Sequence, residues 1–551
     1  MNRPFSAPAR SALPAAVVLA AAVVVALLLL AGRTTLWDRD EARFARSAVE
    51  MLSSGDYLVP TFAGELRPHK PPLLPWLMAL SARVLGPTET AFRLWSALAH
   101  GASVLLTFVA GRRLAGDRAA LYGASFLALS PLALLEGAAA TADAVLLAGL
   151  TGLLAVFADA ARGVRARHFL LGALASAAAQ LAKGPVALVL PLLGLGGALL
   201  FAPGAFRERR RLAGLLAVSS VVGLLPVLGW GLLADAATNG RLLAEAIGTH
   251  VVGRTLAPME GHGSGLLAGP LYYAAVLLAG FSPFTLFLPG AAARALKGGR
   301  LDAAPKAILL GSAVAPVLLF AVVATKLPHY LLPAFPAFAL LAGETAEAGE
   351  RRGAVAGAFL LVPLVLVELV ALGFAVADPP LPALRAPSSA AFLALIVGIP
   401  SALYLARAGR SRAAVAALGG TTLAALVAVV GFGLPAIEAW KPVPKLAADA
   451  KRAVGEAPAA TFGFEEPSAF VHFGPGRVER LGSEADAARW ARGAGRGVLV
   501  TTRDGLERLV ALEGLLPLVP VAWRGGLNVS KGAPVELVAL ARGGPFAKSS
   551  R

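Results

Sequence analysis

The stretch "ALPAAVVLAAAVVVALLLLAGRTTLWDRDEARF", residues 12–44, sets the terms for the whole chain. From Ala12 to Ala31 it carries no charge and is long enough to cross a hydrocarbon core of roughly 30 Å. Within a few residues of that run come Asp38, Arg39, Asp40, Glu41 and Arg43. A chain that leaves a membrane and at once presents acids and bases is placing polar groups where they are expensive, which marks a candidate site.

The rest of the sequence agrees. Of its 551 residues, 57% are apolar and 15% charged, with a mean hydropathy of +0.71. A soluble core cannot hide that much apolar surface, so the expected fold class is an all-α polytopic membrane protein. Ala, Leu, Val and Gly fill the apolar runs, as close helix packing in lipid favours. Candidate spans lie at 12–31, 92–111, 119–135, 142–160, 168–182, 184–202, 212–233, 270–290, 307–324, 328–344, 354–376, 388–406 and 413–433, about thirteen transmembrane helices. Residues 73–86 are too short and too proline-flanked to count.

The net charge of +17 follows topology rather than nucleic-acid binding. Arg3/Arg10, Arg112/Arg113/Arg118, Arg162/Arg165/Arg167, Arg207 to Arg211, Arg294/Lys297/Arg300/Lys306, Arg351/Arg352 and Arg407/Arg410/Arg412 fall on every second side. That side is cytoplasmic under the positive-inside rule, so the N-terminus is expected inside and the C-terminus outside. With no cysteine, disulfides and thiolate chemistry are excluded. The first span lacks a cleavage site and reads as a retained anchor.

The expected organisation is a membrane domain, 1–440, with outer loops 33–91 and 234–269, and a C-terminal extracytoplasmic α/β domain, 441–551. In the latter "KPVPKLAADAKRAV" reads as a linker and amphipathic helix, and 484–493 as helical. "GVLVTT", "LVPVAW" and "PVELVALA" read as strands.

Five outer segments and one loop concentrate unusual residues. In the first, Asp38 or Asp40 suits a helix cap as well as a catalytic carboxylate, and acids in a first turn favour the helix dipole. Asp40 and Arg43 share one helix face, so the guanidinium would keep the carboxylate ionised. Near His69, the prolines after Lys70 hold that lysine extended at the lip of the next helix, though a snorkelling lysine looks the same. Thr141 suits a cap for the helix that carries Asp143. Lys183-Gly184-Pro185 sets a lone cation between two spans, and Lys326, His329 and Tyr330 share an outer junction. The 234–269 loop adds His250, Arg254 and His262, with Tyr272 and Tyr273 beginning the next span. No HExxH, Walker or GxSxG motif is present.

"DRDEARFARSAVEMLSSGDYLVPTFAGELRPHKPPLLPW", from Asp38, resembles the first outer loop of bacterial glycosyltransferases of the GT-C fold. Among them it is similar to lipid A aminoarabinose transferases and to dolichyl-phosphate-mannose protein mannosyltransferase-like proteins. The matching motifs are Asp40-Glu41-Ala42-Arg43-Phe44-Ala45, Gly55-Asp56-Tyr57 and His69-Lys70-Pro71-Pro72-Leu73. Lys183-Gly184-Pro185, Arg254, His262, Tyr272-Tyr273 and Lys326-Leu327-Pro328-His329-Tyr330 follow in family order.

The resemblance implies a sugar donor linked through undecaprenyl or another polyprenyl phosphate, a lipid or protein acceptor, and transfer outside the inner membrane. It implies that Asp40 is the catalytic base, with Glu41 and Arg43 as further catalytic residues beside it and Asp143 as a second acid near the reaction centre. It further implies that Lys70, Arg254 and Tyr273 hold the lipid phosphate, with Lys183, Lys326 and Tyr272 lining the same donor-binding cavity. A divalent metal is a possible cofactor, with His69 and His262 as candidate ligands; His69 stands where the family often has an acid. A phosphate is its own leaving group, so cations opposite a base suffice for an inverting single displacement. The alternative is a polytopic transporter or lipid flippase, but such proteins usually carry their charges near the midplane, whereas here they gather at the outer junctions.

Overall fold

A computed structural model describes residues 12–253, 268–296, 303–349, 384–474, 478–513, 517–528 and 530–543. The chain divides into two compact units. One comprises residues 1–30, 68–74 and 95–433; the other comprises 31–67, 75–94 and 434–551. The first outer loop, expected with the membrane domain, therefore clusters largely with the C-terminal domain.

The first unit is helical. Among the described residues, seven helices are long and apolar enough to cross a membrane, or nine if two bent pairs each count as one span. The chain is thus a multi-pass membrane protein. Expected spans match helices at Leu13–Ala31, Glu89–Leu114, Ala142–Ala160, Ala166–Lys183, Arg209–Ala237, Ala304–Val322 and Arg385–Arg407. The span expected at 354–376 lies outside the described residues. Leu73–Leu85, left uncounted, is a helix.

Two expected spans are broken, and proline accounts for both. Residues 119–135 form Asp117–Leu129 and Pro131–Ala138, bent by 59°. Ser130 between them is extended at φ −69°, ψ 130°, because a residue preceding proline is driven out of the helical region. Residues 270–290 form Ala268–Gly280 and a second segment beyond Pro283, turned by 112°. The expected span 328–344 opens as a 3₁₀ turn, Pro328–Ala334, before the α-helix Phe335–Ala348.

Small residues set the helix spacing. A Cβ on Gly149 would lie 2.8 Å from the Ala179 backbone nitrogen, so Ala142–Ala160 and Ala166–Lys183 approach backbone to backbone, as GxxxG-like contacts do in lipid. An aromatic core of Phe126, Phe281, Phe284 and Phe335 is fully buried beside them, with the Phe126 and Phe284 rings stacked at 4.5 Å.

The second unit contains a five-stranded sheet. Its strands are β3 (Ala459–Phe462), β4 (Val478–Leu481), β5 (Gly497–Thr502), β6 (Val519–Asn528) and β7 (Ala533–Arg542), following a short hairpin of β1 (Thr61–Phe62) and β2 (Glu65–Leu66). The order is β4-β3-β5-β7-β6. β3 pairs parallel to β4 and β5, while β7 runs antiparallel to β5 and β6. Leu499 and Val500, from successive positions of β5, are both fully buried, as a strand covered on both faces requires. The amphipathic helix Pro442–Val454 buries Val443, Leu446, Ala450 and Val454 against this sheet. The α/β expectation for the tail holds, and β3 and β4 are additions to it.

Candidate functional site

In the second unit, helix Asp40–Ser54 begins at Asp40, with Arg39 as its N-cap residue and no side-chain cap. Asp38 does not cap this helix either. Its carboxylate accepts the Ser468 backbone N–H at 2.7 Å, in a pocket also lined by Thr35, Lys441, Glu466 and Asn528. Burial pushes the Asp38 carboxyl up to about 6; the Ser468 hydrogen bond opposes this and the Glu466 charge adds to it.

Because the folded value exceeds the unfolded one, this group favours the folded state most below pH 4. That contribution is lost as pH rises through about 4 to 6, a change of at most about 3 kcal/mol. Asp38→Asn is expected to raise the thermal midpoint relative to wild type at pH 7.5 and not at pH 4. An equal difference at both pH values would refute the assignment.

Asp40 is half-buried. Arg67 is 6% exposed, with its guanidinium 4.4 Å from the centre of the Phe44 ring. Burial lowers the Arg67 pKa to about 10, the Asp40 charge works against that and the Arg43 charge adds to it. Asp40, Arg43 and Arg67 thus share one electrostatic neighbourhood, in which Arg67 is an additional cation beside the acid.

Glu41 has a different task. It is 2% exposed and lies 2.7 and 2.8 Å from the Arg93 guanidinium nitrogens. It also accepts the Trp37 N–H at 2.8 Å. Arg93 in turn donates to the Ala31, Thr34 and Thr35 carbonyls. Glu41, expected among the catalytic residues, has both oxygens engaged in this buried network.

The first unit holds the second cluster. Asp143 lies in the first turn of Ala142–Ala160 and is 2% exposed. Lys183, at the end of the antiparallel neighbour, bonds to Asp143 Oδ1. His329 bridges two acids, with Nδ1 3.8 Å from Glu136 and Nε2 4.0 Å from Asp143. Thr141 is the N-cap residue, but its hydroxyl donates to Glu136 at 2.6 Å instead of capping. The Lys183 ammonium lies 5.2 Å from the Tyr330 ring centre, and His329 meets that ring edge-on. Lys70 is half-buried, and its charge acts on Asp143 together with that of Lys183. Pro71 packs within 3.6 Å of a Cβ position at Gly184.

Asp143, Lys183 and Lys70 thus form one charged neighbourhood, and Glu136 and His329 join it. Such a cluster pairs carboxylates with cations in a low-dielectric setting, where charge–charge interactions are stronger than in water.

Lys326, expected in the donor-binding cavity, is engaged by the backbone. It is 5% exposed and donates to the Phe320 and Ala321 carbonyls at 3.1 and 2.7 Å and to the Val323 carbonyl. Three donors are thus spent on the carboxyl end of Ala304–Val322, where a cation suits the helix dipole. Tyr273 is 1% exposed within the core that includes Phe320 and Tyr330, and Tyr272 is half-buried against it at 5.1 Å. Arg254 and His262 lie outside the described residues. His69 is exposed, and among the described residues no group of three or more His, Asp or Glu side chains is placed to hold a metal.

A family described as dolichyl-phosphate-mannose-protein mannosyltransferase matches residues 69–230, the segment that contributes Lys70, Glu136, Asp143 and Lys183. An undecaprenyl phosphate-alpha-4-amino-4-deoxy-L-arabinose arabinosyl transferase of Edwardsiella ictaluri is 33% identical over 322 residues, 57% of this chain. The match spans only 55% of that relative's length. ArnT from Cupriavidus metallidurans, solved bound to undecaprenyl phosphate, aligns with 95% of this chain and 97% of its own at a TM-score of 0.77 and 22% identity. The archaeal oligosaccharyltransferase AglB from Archaeoglobus fulgidus, in complex with an inhibitory peptide and a dolichol-phosphate, aligns with 98% of this chain and 74% of its own at a TM-score of 0.52 and 13% identity. The chain has the GT-C glycosyltransferase fold and resembles the lipid A aminoarabinose transferases.

Proposed function

We propose that this protein is a membrane glycosyltransferase that moves a sugar from a polyprenyl phosphate, such as undecaprenyl phosphate, onto an envelope lipid or protein. The observation that carries this reading is the convergence of Lys183 and His329 on Asp143, with Lys70, Asp143 and Lys183 all inside the segment that matches the mannosyltransferase family. Cations opposite a departing phosphate stabilise the charge that develops as the glycosidic bond breaks. Lys70 is assigned to the phosphate, and Asp143 holds Lys183 and His329 in fixed positions. Asp40 serves as base for the acceptor hydroxyl, with Arg43 and Arg67 keeping its carboxylate charged. Attack on the face opposite the phosphate then inverts the anomeric centre.

The experiment is a comparison of envelope lipids and glycoproteins by mass spectrometry with the gene present, deleted, or replaced by Asp143→Asn. One sugar modification should disappear on deletion and stay absent with the variant. An unchanged envelope on deletion would refute the reading.

The protein is placed in the inner membrane of a bacterium, N-terminus cytoplasmic and C-terminus periplasmic, on the strength of its loop charges. The absence of native cysteine makes the check direct. Cysteine at Lys531 should react with a membrane-impermeant maleimide on intact spheroplasts, whereas cysteine at Gly204 should react only after lysis. The reverse pattern would overturn the orientation.

A further inference from the structure

The first unit carries a groove whose two ends differ in chemistry. It encloses about 420 Å³ between the helical segments ending at Phe201 and the helix Arg209–Ala237. Leu192, Leu199, Leu200 and Leu216 form its apolar wall, and Leu200 and the neighbouring Phe201 are 66% and 90% exposed. Side chains this apolar and open belong against acyl chains in a membrane protein.

Arg209 and Arg210 close the other end. Arg209 Nε donates to the Leu199 carbonyl at 2.9 Å, which ties the basic segment to the groove wall. Arg207 to Arg211 hold four guanidinium groups against one carboxylate, Glu208. That carboxylate is already engaged, accepting the Val164 N–H at 3.0 Å and lying 3.7 Å from Arg211. Strong positive charge therefore adjoins an open apolar channel on the side where the arginine-rich loops gather.

We propose that this groove binds an anionic phospholipid, its phosphate on Arg210 and Arg209 and one acyl chain along the leucines. Basic residues beside membrane helices select anionic headgroups by charge. The channel selects a molecule with a tail, because a free anion would leave the leucines uncovered. A zwitterionic lipid offers the same tail with no net charge to match the arginines.

The test uses the full chain in detergent, with native mass spectrometry and thermal unfolding as readouts. The probes are dioleoyl phosphatidylglycerol, dioleoyl phosphatidylcholine and glycerol phosphate. Phosphatidylglycerol should be retained and should raise the unfolding midpoint, whereas phosphatidylcholine and glycerol phosphate should do neither. Arg210→Gln should weaken phosphatidylglycerol binding roughly fivefold, and Arg210→Lys should keep most of it. Ala213→Phe, which fills the groove at an exposed position, should abolish retention with every charge intact. Equal binding of phosphatidylcholine, full reproduction by glycerol phosphate, or undiminished binding by both Arg210→Gln and Ala213→Phe would each overturn the proposal.

Discussion

Asp40→Asn is expected to reduce sugar transfer by about 10²–10⁴-fold, the usual contribution of a positioned general base, while the protein still folds with only a modest drop in thermal midpoint. Asn keeps the size and polarity of the side chain at the first position of helix Asp40–Ser54, where no side-chain cap is lost. What disappears is the capacity to take a proton and the negative charge facing Arg43 and Arg67. Arg67 is buried, so some loss of stability is expected there, smaller than the loss of rate because Arg67 remains stacked on Phe44. The check is initial rate at saturating donor together with a melting curve. A variant that folds normally and transfers at the wild-type rate would remove Asp40 from the chemistry.

Glu41→Ala, one residue along, is expected to fail differently. Arg93 is 3% exposed, and without Glu41 its guanidinium would be a buried charge that has lost its hydrogen-bonded carboxylate and keeps only the weaker pull of Glu89 and Glu438. Breaking such a pair costs about 3–5 kcal/mol, enough to deplete the folded protein. Glu41→Gln keeps the shape and one acceptor oxygen and should fall between wild type and Ala in stability. The decisive quantity is activity per folded molecule, obtained by scaling rate to the fraction that elutes as a monodisperse peak. For Glu41→Gln it should approach wild type. A stable Glu41→Gln protein with no activity would return Glu41 to the reacting groups.

These neighbours show how far the sequence alone reaches. The apolar runs announced the membrane helices, since about 20 residues without charge have few other uses, and Ala142–Ala160 was placed to the residue. The broken helices were less legible. Ser130-Pro131 and Ser282-Pro283 carry the signal, but proline also occurs inside continuous helices, as Pro226 and Pro316 do here, so its presence alone does not identify a break.

Within the candidate site, charge marked the right neighbourhoods but not the partners. Asp143 and Lys183 are 40 positions apart and Glu41 and Arg93 are 52 apart, and only tertiary packing pairs them. Arg93 itself left a readable trace, a lone arginine in the apolar stretch "AFRLWSALA", which needs a buried carboxylate. Lys326 is ambiguous in the sequence because a cation at an outer junction suits a phosphate as well as it suits three helix-end carbonyls. The division of the chain was hidden for a similar reason, because loop 31–67 is contiguous in sequence with the membrane spans while its packing partners come from residues 434–551.

The most direct measurement of the central claim uses purified protein in liposomes, loaded with an undecaprenyl-phosphate-linked sugar and extracted envelope lipid. The account predicts that free undecaprenyl phosphate appears in equal amount to glycosylated acceptor, and that neither forms when acceptor is withheld. Donor that crosses the bilayer with its sugar still attached, and with no undecaprenyl phosphate released, would contradict it and identify a lipid transporter instead.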